Sequence, residues 1–337
     1  MLRTLKPERI DGYLPLQHYA AVGDGRSVAI IGADGSLDWW CAPNLDSRPL
    51  FDRILDDEKG GRFSITPTEP FTIERQYRQD SNVLETIFVT ASGRARITES
   101  MNSGTSGRLP WCELARRIEG VEGFVDFEIV VQPTCLDTDV KLVDHPNATV
   151  RYIGGLTTTF CHDDAVEITL CRDEVSKGIV STREGSHTCV ALLVSDGGPL
   201  PIPRLEGIDA RIDSSDREWR SWTEQLTYDG PFAEDFKRCA LSLKFLLYSP
   251  TGSIAAAATN GLPERLGGDK NYDYRYAWIR DAAFTIKAFL RAGALSESIA
   301  AFGWLVRTIS DDGPVAQVAY TLKGESVPDE RDVEVPG

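Results

Sequence analysis

The feature that most constrains the fold is a change of hydrophobic period near residue 206. Before it the chain alternates with period two; after about residue 232 the apolar residues recur at helical spacing. Period two buries one face of a strand, whereas a period of 3.6 buries one stripe of a helix, so the two stretches build different layers. The clearest strand is 125–132. There Val125, Phe127, Ile129 and Val131 fall on one face, with Asp126, Glu128 and Gln132 on the other. Residues 82–90 (NVLETIFVT) are rich in β-branched and aromatic side chains and run into Ala91-Ser92-Gly93. Residues 188–195 (TCVALLVS) end at Asp196-Gly197-Gly198, and Asp34-Gly35 is a hairpin-turn signal. Many short strands separated by turns predict an antiparallel β-sandwich over 1–205.

A proline-bearing break at 199–203 precedes a polar, Trp-bearing stretch, 208–225, which reads as a helix inside a linker of 206–231. Past Gly230-Pro231, the residues Phe232, Phe236, Cys239, Ala240, Leu243, Leu246 and Leu247 share one helical face until Pro250-Thr251-Gly252. A second helix is predicted over 281–292, stopped by Gly293. A third starts near Ser296, carries Ile299, Phe302, Leu305, Val306 and Ile309 on one stripe, and closes at Asp311-Asp312-Gly313-Pro314. These stripes need partners, and residues 328–337 (PDERDVEVPG) supply no closing element. The expectation is that 232–337 is the first part of an incomplete helical domain. Its stripes Phe236-Leu243-Leu247 and Phe302-Leu305-Ile309 would then be exposed and favour self-association.

Net charge is −15. A surface that acidic repels phosphate backbones and anionic lipid heads, so nucleic acid and membrane partners are not expected, while a neutral sugar is compatible. The first twenty residues have no signal-peptide pattern, and no apolar run approaches the roughly 18 residues that span a bilayer. Seven scattered cysteines without a C-x-x-C pair, and four scattered histidines, point to reduced thiols in a cytoplasmic protein and to no metal site.

The densest chemical cluster is 271–281 (NYDYRYAWIRD), in which four aromatics, two arginines and two aspartates precede a helix. Aromatic faces pack on the C–H faces of a pyranose, and Arg and Asp make charge-assisted hydrogen bonds to hydroxyls. Composition leaves a second reading open: Asp281 as the N-cap of the following helix, Arg280 as its surface partner, and the aromatics as core. The paired Trp39 and Trp40 after the Asp34-Gly35 turn are either substrate-adjacent or core, with core the better reading.

With these residues in view, the chain resembles glycoside hydrolase family 15, the glucoamylase and trehalase-like family, in its bacterial and archaeal form. Residues 248–259 (YSPTGSIAAAAT), Leu262-Pro263-Glu264, Gly267-Gly268 and 271–281 are similar to that family's entry into its catalytic domain. The run from Ile31 through Asp46-Ser47, then Phe51, Leu55-Asp56, Gly60-Gly61-Arg62-Phe63, Gln76-Tyr77 and 82–86, resembles its N-terminal signature. Two departures stand out: Ala277 where the family usually has Cys, and Asn260-Gly261 where it often has Thr-Ser.

The resemblance implies a β-sandwich followed by an (α/α)6 helical barrel, of which this chain would hold the first part. It implies inverting hydrolysis of terminal α-glucosidic bonds in a malto-oligosaccharide or trehalose. That chemistry needs a general acid and a general base, and no cofactor. Arg280 and Asp281 match the pair that grips the non-reducing glucose, Tyr274 the aromatic that stacks in that subsite, and Trp278 the neighbouring wall. The family's general acid and base are expected beyond Gly337, and Glu325 reads as a loop residue that is solvated or at most substrate-adjacent. The rival reading is a non-catalytic fragment or a sugar-binding or structural module.

Overall fold

The computed structural model describes residues 4–103, 108–134, 141–170, 175–198, 200–262, 265, 270–313 and 315–329. Among them, the part before residue 200 is antiparallel sheet with one short 3-10 turn at Leu16–His18. The part after it is helical, with strands of two residues each. The change of period therefore marks a real change of architecture.

One strand organises the sheets. Cys112–Gln132 runs for 21 residues, and its two halves serve different neighbours. The first half pairs with Gly93–Met101 and His187–Asp196. The second pairs with Arg62–Pro67 and Ser176–Arg183. Gly120 and Gly123 lie at the crossover. A Cβ at Gly120 would stand 1.9 Å from the Arg183 carbonyl oxygen, and Gly123 has φ +59°. The two halves face one another across a common apolar core, and ring contacts join the layers. Phe63 meets Phe160 edge-on at 5.7 Å, and Phe88 meets Phe127 at 5.5 Å.

The strand expected at 125–132 is thus only the second half of a longer one. Residues 112–124 escape a period-two reading because charge sits inside the layer. Arg116 is fully buried, 2.6 Å from Glu99, and donates to the Gly35 and Phe63 carbonyls at 2.7 and 3.1 Å. The Asp34-Gly35 signal does form the turn between Val28–Gly32 and Ser36–Cys41, with Gly35 at φ +85°.

Among the described residues four helices follow: α1 (Leu205–Thr223), α2 (Ala233–Lys244), α3 (Ile279–Ala292) and α4 (Leu295–Asp312). Helix α1 is docked on the sheet rather than loose. Ile208 and Ile212 are buried against Cys161, Cys189 and Leu193. Arg211 grips Glu113 through two bonds of 2.8 and 2.6 Å, and Arg117 reaches Asp209 at 2.7 Å. At its far end Trp219 and Trp222 pack on the helical core, so α1 touches both cores.

Helix α2 ends three residues before the apolar stripe read from sequence does. Leu247 belongs to a small hairpin, Leu247–Tyr248 with Ser253–Ile254, because Pro250-Thr251-Gly252 turns the chain there. Gly252 sits at φ +87°, and a Cβ would lie 2.9 Å from the Ala300 carbonyl. The expected exposure of Phe236-Leu243-Leu247 is corrected accordingly. Phe236 stacks on Tyr228 at 4.1 Å, Leu243 packs on the helical core and Leu247 is buried. Leu305 is buried too, and Ile309 is partly covered. Phe302 is exposed as expected, and with it stand Phe284, Ile299 and Val306.

Candidate functional site: the aromatic segment before helix α3

Residues 270–278 lead into α3, and 279–281 form its first turn. Their backbone is held from two sides. Ala256 and Ala257 donate to the Tyr276 and Tyr274 carbonyls at 3.0 and 2.8 Å. Ala277–Trp278 pairs with Ala319–Tyr320. Trp278 is the extended residue (φ −73°, ψ 127°) from which α3 starts, and Gly293 at φ 84° ends that helix. A Cβ there would collide with Thr227, so glycine is required by both conformation and space.

The expected residues come together as a row. Tyr272 and Tyr274 meet edge-to-face at 6.3 Å, and Tyr274 lies 6.3 Å from Trp278 at a 33° tilt. The Arg280 guanidinium is 5.8 Å from the centre of the Trp278 ring, and its Nη2 is 3.1 Å from Asp281 Oδ2. Asp281 is the third residue of α3 and makes no side-chain cap, so the simple N-cap reading does not describe it. Its charge in the first turn still suits the helix dipole. Arg280 is 68% exposed at its side chain and Asp281 34%, so as an ion pair they add about 0–1 kcal/mol.

Two shielded polar atoms at this row have no hydrogen-bond partner among the described residues: Trp278 Nε1 and Asp281 Oδ2. The latter faces Arg280 closely but without hydrogen-bond alignment. In the adjoining loop Asn260 Oδ1 is in the same condition. Buried polar groups are normally satisfied; the same condition recurs in the sheets, at Thr98, Thr158 and Thr159, so it is not peculiar to this row.

Trp39 and Trp40 are not part of this surface. Both are fully buried, which corrects the substrate-adjacent alternative in favour of core. Trp40 stacks parallel to Phe51 at 6.5 Å and donates to Ser27 Oγ at 2.9 Å. Trp39 instead reaches across to the helical part, donating to the Ala258 carbonyl at 2.8 Å. Glu325 is exposed in a turn closed on Thr321. Of the loop motifs quoted above, Pro263-Glu264 and Gly267-Gly268 lie outside the described residues.

Sequence reasoning missed Arg275 and Asp273 as partners. Arg275 is 8% exposed and lies under the aromatic row. Burial works against its charge, but hydrogen bonds to Asp273 and the nearby negative charge outweigh this and hold its pKa above the usual arginine value. Beside it, burial pushes the Cys41 thiol up to about 12, so it is a neutral group at ordinary pH. The only available signal was the alternation Asp273-Tyr274-Arg275, which reads equally well as sugar-binding polarity.

Two cavities elsewhere hold clustered polar residues. One of about 660 Å³ lies between His162, His187 and the start of α1, and one of about 620 Å³ between His145, His162 and Glu167. Neither touches 270–281. Among the described residues no group of three or more His, Cys, Asp or Glu is placed to hold a metal, and no helix is long and apolar enough to cross a membrane.

The architecture, antiparallel sheet then helices, has a counterpart among solved carbohydrate enzymes. A bacterial glucoamylase solved with acarbose superposes with a TM-score of 0.64 at 13% identity, over 97% of this chain and 55% of that one. More particularly, residues 11–126 match the model of the trehalase-like N-terminal domain, and residues 231–333 that of glycosyl hydrolases family 15. The chain is therefore similar to the trehalase-like N-terminal domain over its first part and to family 15 glycosyl hydrolases over its last, as the motifs implied. Curated trehalases of Thermoplasma volcanium and Thermoplasma acidophilum are 28% and 29% identical, over 97% and 91% of this chain. A trehalase of Mycolicibacterium smegmatis is 28% identical over 92%. The chain spans about half the length of these relatives, 53%, 53% and 50%.

Proposed function

We propose that the chain supplies the sugar-gripping subsite of an inverting hydrolase acting on terminal α-glucosidic bonds, of trehalase or glucoamylase type. The observation that carries the reading is the row Tyr274, Trp278, Arg280 and Asp281, in which two rings stand beside a partly exposed ion pair. In this reading the rings take the apolar face of a glucose, and Arg280 and Asp281 share its hydroxyls. Trehalose and malto-oligosaccharides are the substrate candidates, in keeping with the relatives named trehalase and the glucoamylase fold. Inversion calls for two carboxyl groups about 6.5–9.5 Å apart with water between them, and no cofactor. The reading assigns neither the general acid nor the general base to these 337 residues.

The same reading divides the chain into a β-sandwich unit (1–205), a helical connector (206–231) and the first part of an (α/α)6 barrel (232–337). It places the protein in the cytoplasm, in keeping with five free cysteines among the described residues. The apolar patch on α3 and α4 supports self-association.

The exposure of Arg280 favours one alternative, a surface ion pair at a helix start in a non-catalytic module. Asp281→Ala separates the two. On the subsite reading it weakens trehalose or maltose binding about tenfold or more, with a stability change under about 0.5 kcal/mol. Unchanged affinity would leave only the surface pair. Glucose release from trehalose, maltose and maltotriose should be negligible for the chain itself. Turnover of about one per second or faster would show that its carboxylates include the acid and base after all.

A further inference from the structure

We propose that Arg275 is a positioning residue, a clamp through which the sheet region sets the orientation of the aromatic row. The inference rests on the subsite reading for its purpose, but on geometry for its existence.

A guanidinium presents a planar fork of five N–H donors, and Arg275 uses it in two directions at once. Nε and Nη2 take the two oxygens of Asp273 at 2.9 and 2.6 Å. Asp273 also accepts the backbone N–H of Arg275 at 2.9 Å, which folds 273–275 into a tight local ring. The other end of the fork crosses to the sheet region. Nη1 donates to the Ser47 carbonyl at 2.6 Å and to Cys41 Sγ at 3.2 Å. Both acceptors belong to the stretch that resembles the family's N-terminal signature. The guanidinium also lies 6.0 Å from the centre of the Trp39 ring.

Trp39 supplies the second leg. Its Nε1 holds the Ala258 carbonyl, and the neighbouring Ala256 and Ala257 hold the backbone of Tyr276 and Tyr274. The aromatic row is therefore tied to one small patch of the sheet region by two routes, one through a side chain and one through backbone. Tyr274 lies between them. A fork that is already flat and fully engaged loses little entropy on holding both partners, whereas an ammonium is a point donor and cannot reproduce two-ended, in-plane bonding.

The role differs from that of a general stabiliser. The core of the sheet region does not need Arg275, because its apolar cluster is complete without residues from 270–281. What depends on the clamp is the register of Tyr274 and Trp278 relative to Asp281, and a shift of about 1 Å there is enough to weaken oriented binding strongly.

The test compares the unaltered chain with Arg275→Lys, Arg275→Gln and the milder Asp273→Asn. Hydrogen exchange is followed by peptide, and trehalose and maltose affinity is measured by calorimetry well below the melting point. The clamp predicts exchange about tenfold faster or more at 256–257 and 274–281 in all three variants, with 84–101 and 187–196 unchanged. It also predicts affinity about tenfold weaker, with lysine failing to rescue. Unchanged exchange in 274–281 would overturn it, and so would equal acceleration in the sheet peptides, which would make Arg275 a general fold support. Loosened exchange with unaltered sugar affinity would overturn the positioning role. If the unaltered chain binds neither sugar, the subsite reading fails, and the exchange arm alone decides the clamp.

Discussion

The sheet region and the helical region treat the same kind of residue in opposite ways. In the sheets, large apolar side chains such as Trp40, Phe63, Phe127 and Phe160 are fully enclosed, because two layers face each other across them. In the helices, Phe284, Ile299 and Phe302 are 69%, 72% and 58% exposed. Helices α3 and α4 do bury one flank, where Ile286, Phe289, Ala301 and Trp304 join the helical core. They are apolar on a second flank as well. A helix that is apolar on more than one side has the composition of a helix covered on more than one side. The difference teaches that apolar spacing reports which residues want a partner, and only the packing of neighbouring elements tells which of them has one.

The largest expected effect breaks that symmetry directly. Phe127→Ala removes a ring from between Phe88 and the opposite layer and should cost about 3–5 kcal/mol. Phe302→Ala removes a ring of the same size from an exposed position and should change stability by less than about 0.5 kcal/mol. Urea titration of both variants measures the contrast. Similar losses would mean that the patch on α3 and α4 is covered in solution.

The two regions were also unequally legible. The period fixed where strands give way to helices, and Gly293, which can take the left-handed backbone, marked the end of α3 to the residue. The long strand Cys112–Gln132 was only half visible, because Arg116 shares the core-facing side of its first half with Cys112, Leu114 and Ile118, and Arg117 faces the acidic side chains of α1. Burial of Arg116 is affordable only through Glu99 and two backbone carbonyls from distant strands, and no local pattern contains that information. The stripe through Leu247 failed for a related reason. Helical spacing runs on past the real end of α2, and the turn at Pro250-Thr251-Gly252 reassigns Leu247 to a hairpin. At the site, the aromatic and charged residues of 271–281 were legible as a composition. Their division was not: Arg280 faces outward while Arg275, five residues earlier, is buried against the sheet region. Trp39 and Trp40 look alike in sequence, yet one fills the sheet core and the other ties the sheets to Ala258.

A middle-sized effect sharpens the comparison at a place where charge joins three helices. Glu297 in α4 accepts from Lys244 of α2 and, at 2.9 Å, from Trp222 Nε1 of α1. Burial alone would raise its pKa, but the hydrogen bond and charge of Lys244 prevail and lower it from the usual value of 4.5. A carboxylate whose folded pKa is lowered contributes stability that is present above its unfolded pKa and lost as pH falls through the folded one. The helical region should therefore loosen as pH drops below about 4.5, the ordinary glutamate value. Glu297→Gln should cost about 1–3 kcal/mol at pH 7 and flatten the acid dependence. Melting followed from pH 7 to pH 3 checks both. An unchanged pH profile in the variant would remove Glu297 as the source.

The smallest effect on stability carries the most information about the exposed patch. Replacing Phe284 and Phe302 together by Ser trades two exposed rings for polar groups. With no partner lost in the folded chain, stability should move by less than about 0.5 kcal/mol. Association should respond much more. A whole aromatic side chain buries on the order of 150–250 Å²; Phe284 and Phe302, 69% and 58% exposed, offer only part of that, and at roughly 25 cal/mol per Å² such area drives copies together wherever geometry allows. The unaltered chain should thus show concentration-dependent light scattering that the double variant lacks. Raising salt should strengthen that association, because a net charge of −15 makes copies repel one another and added ions screen the repulsion. A chain that stays monodisperse at every concentration and salt, with the rings in place, would show that the patch meets no second copy. Its apolar composition would then answer to a different covering element.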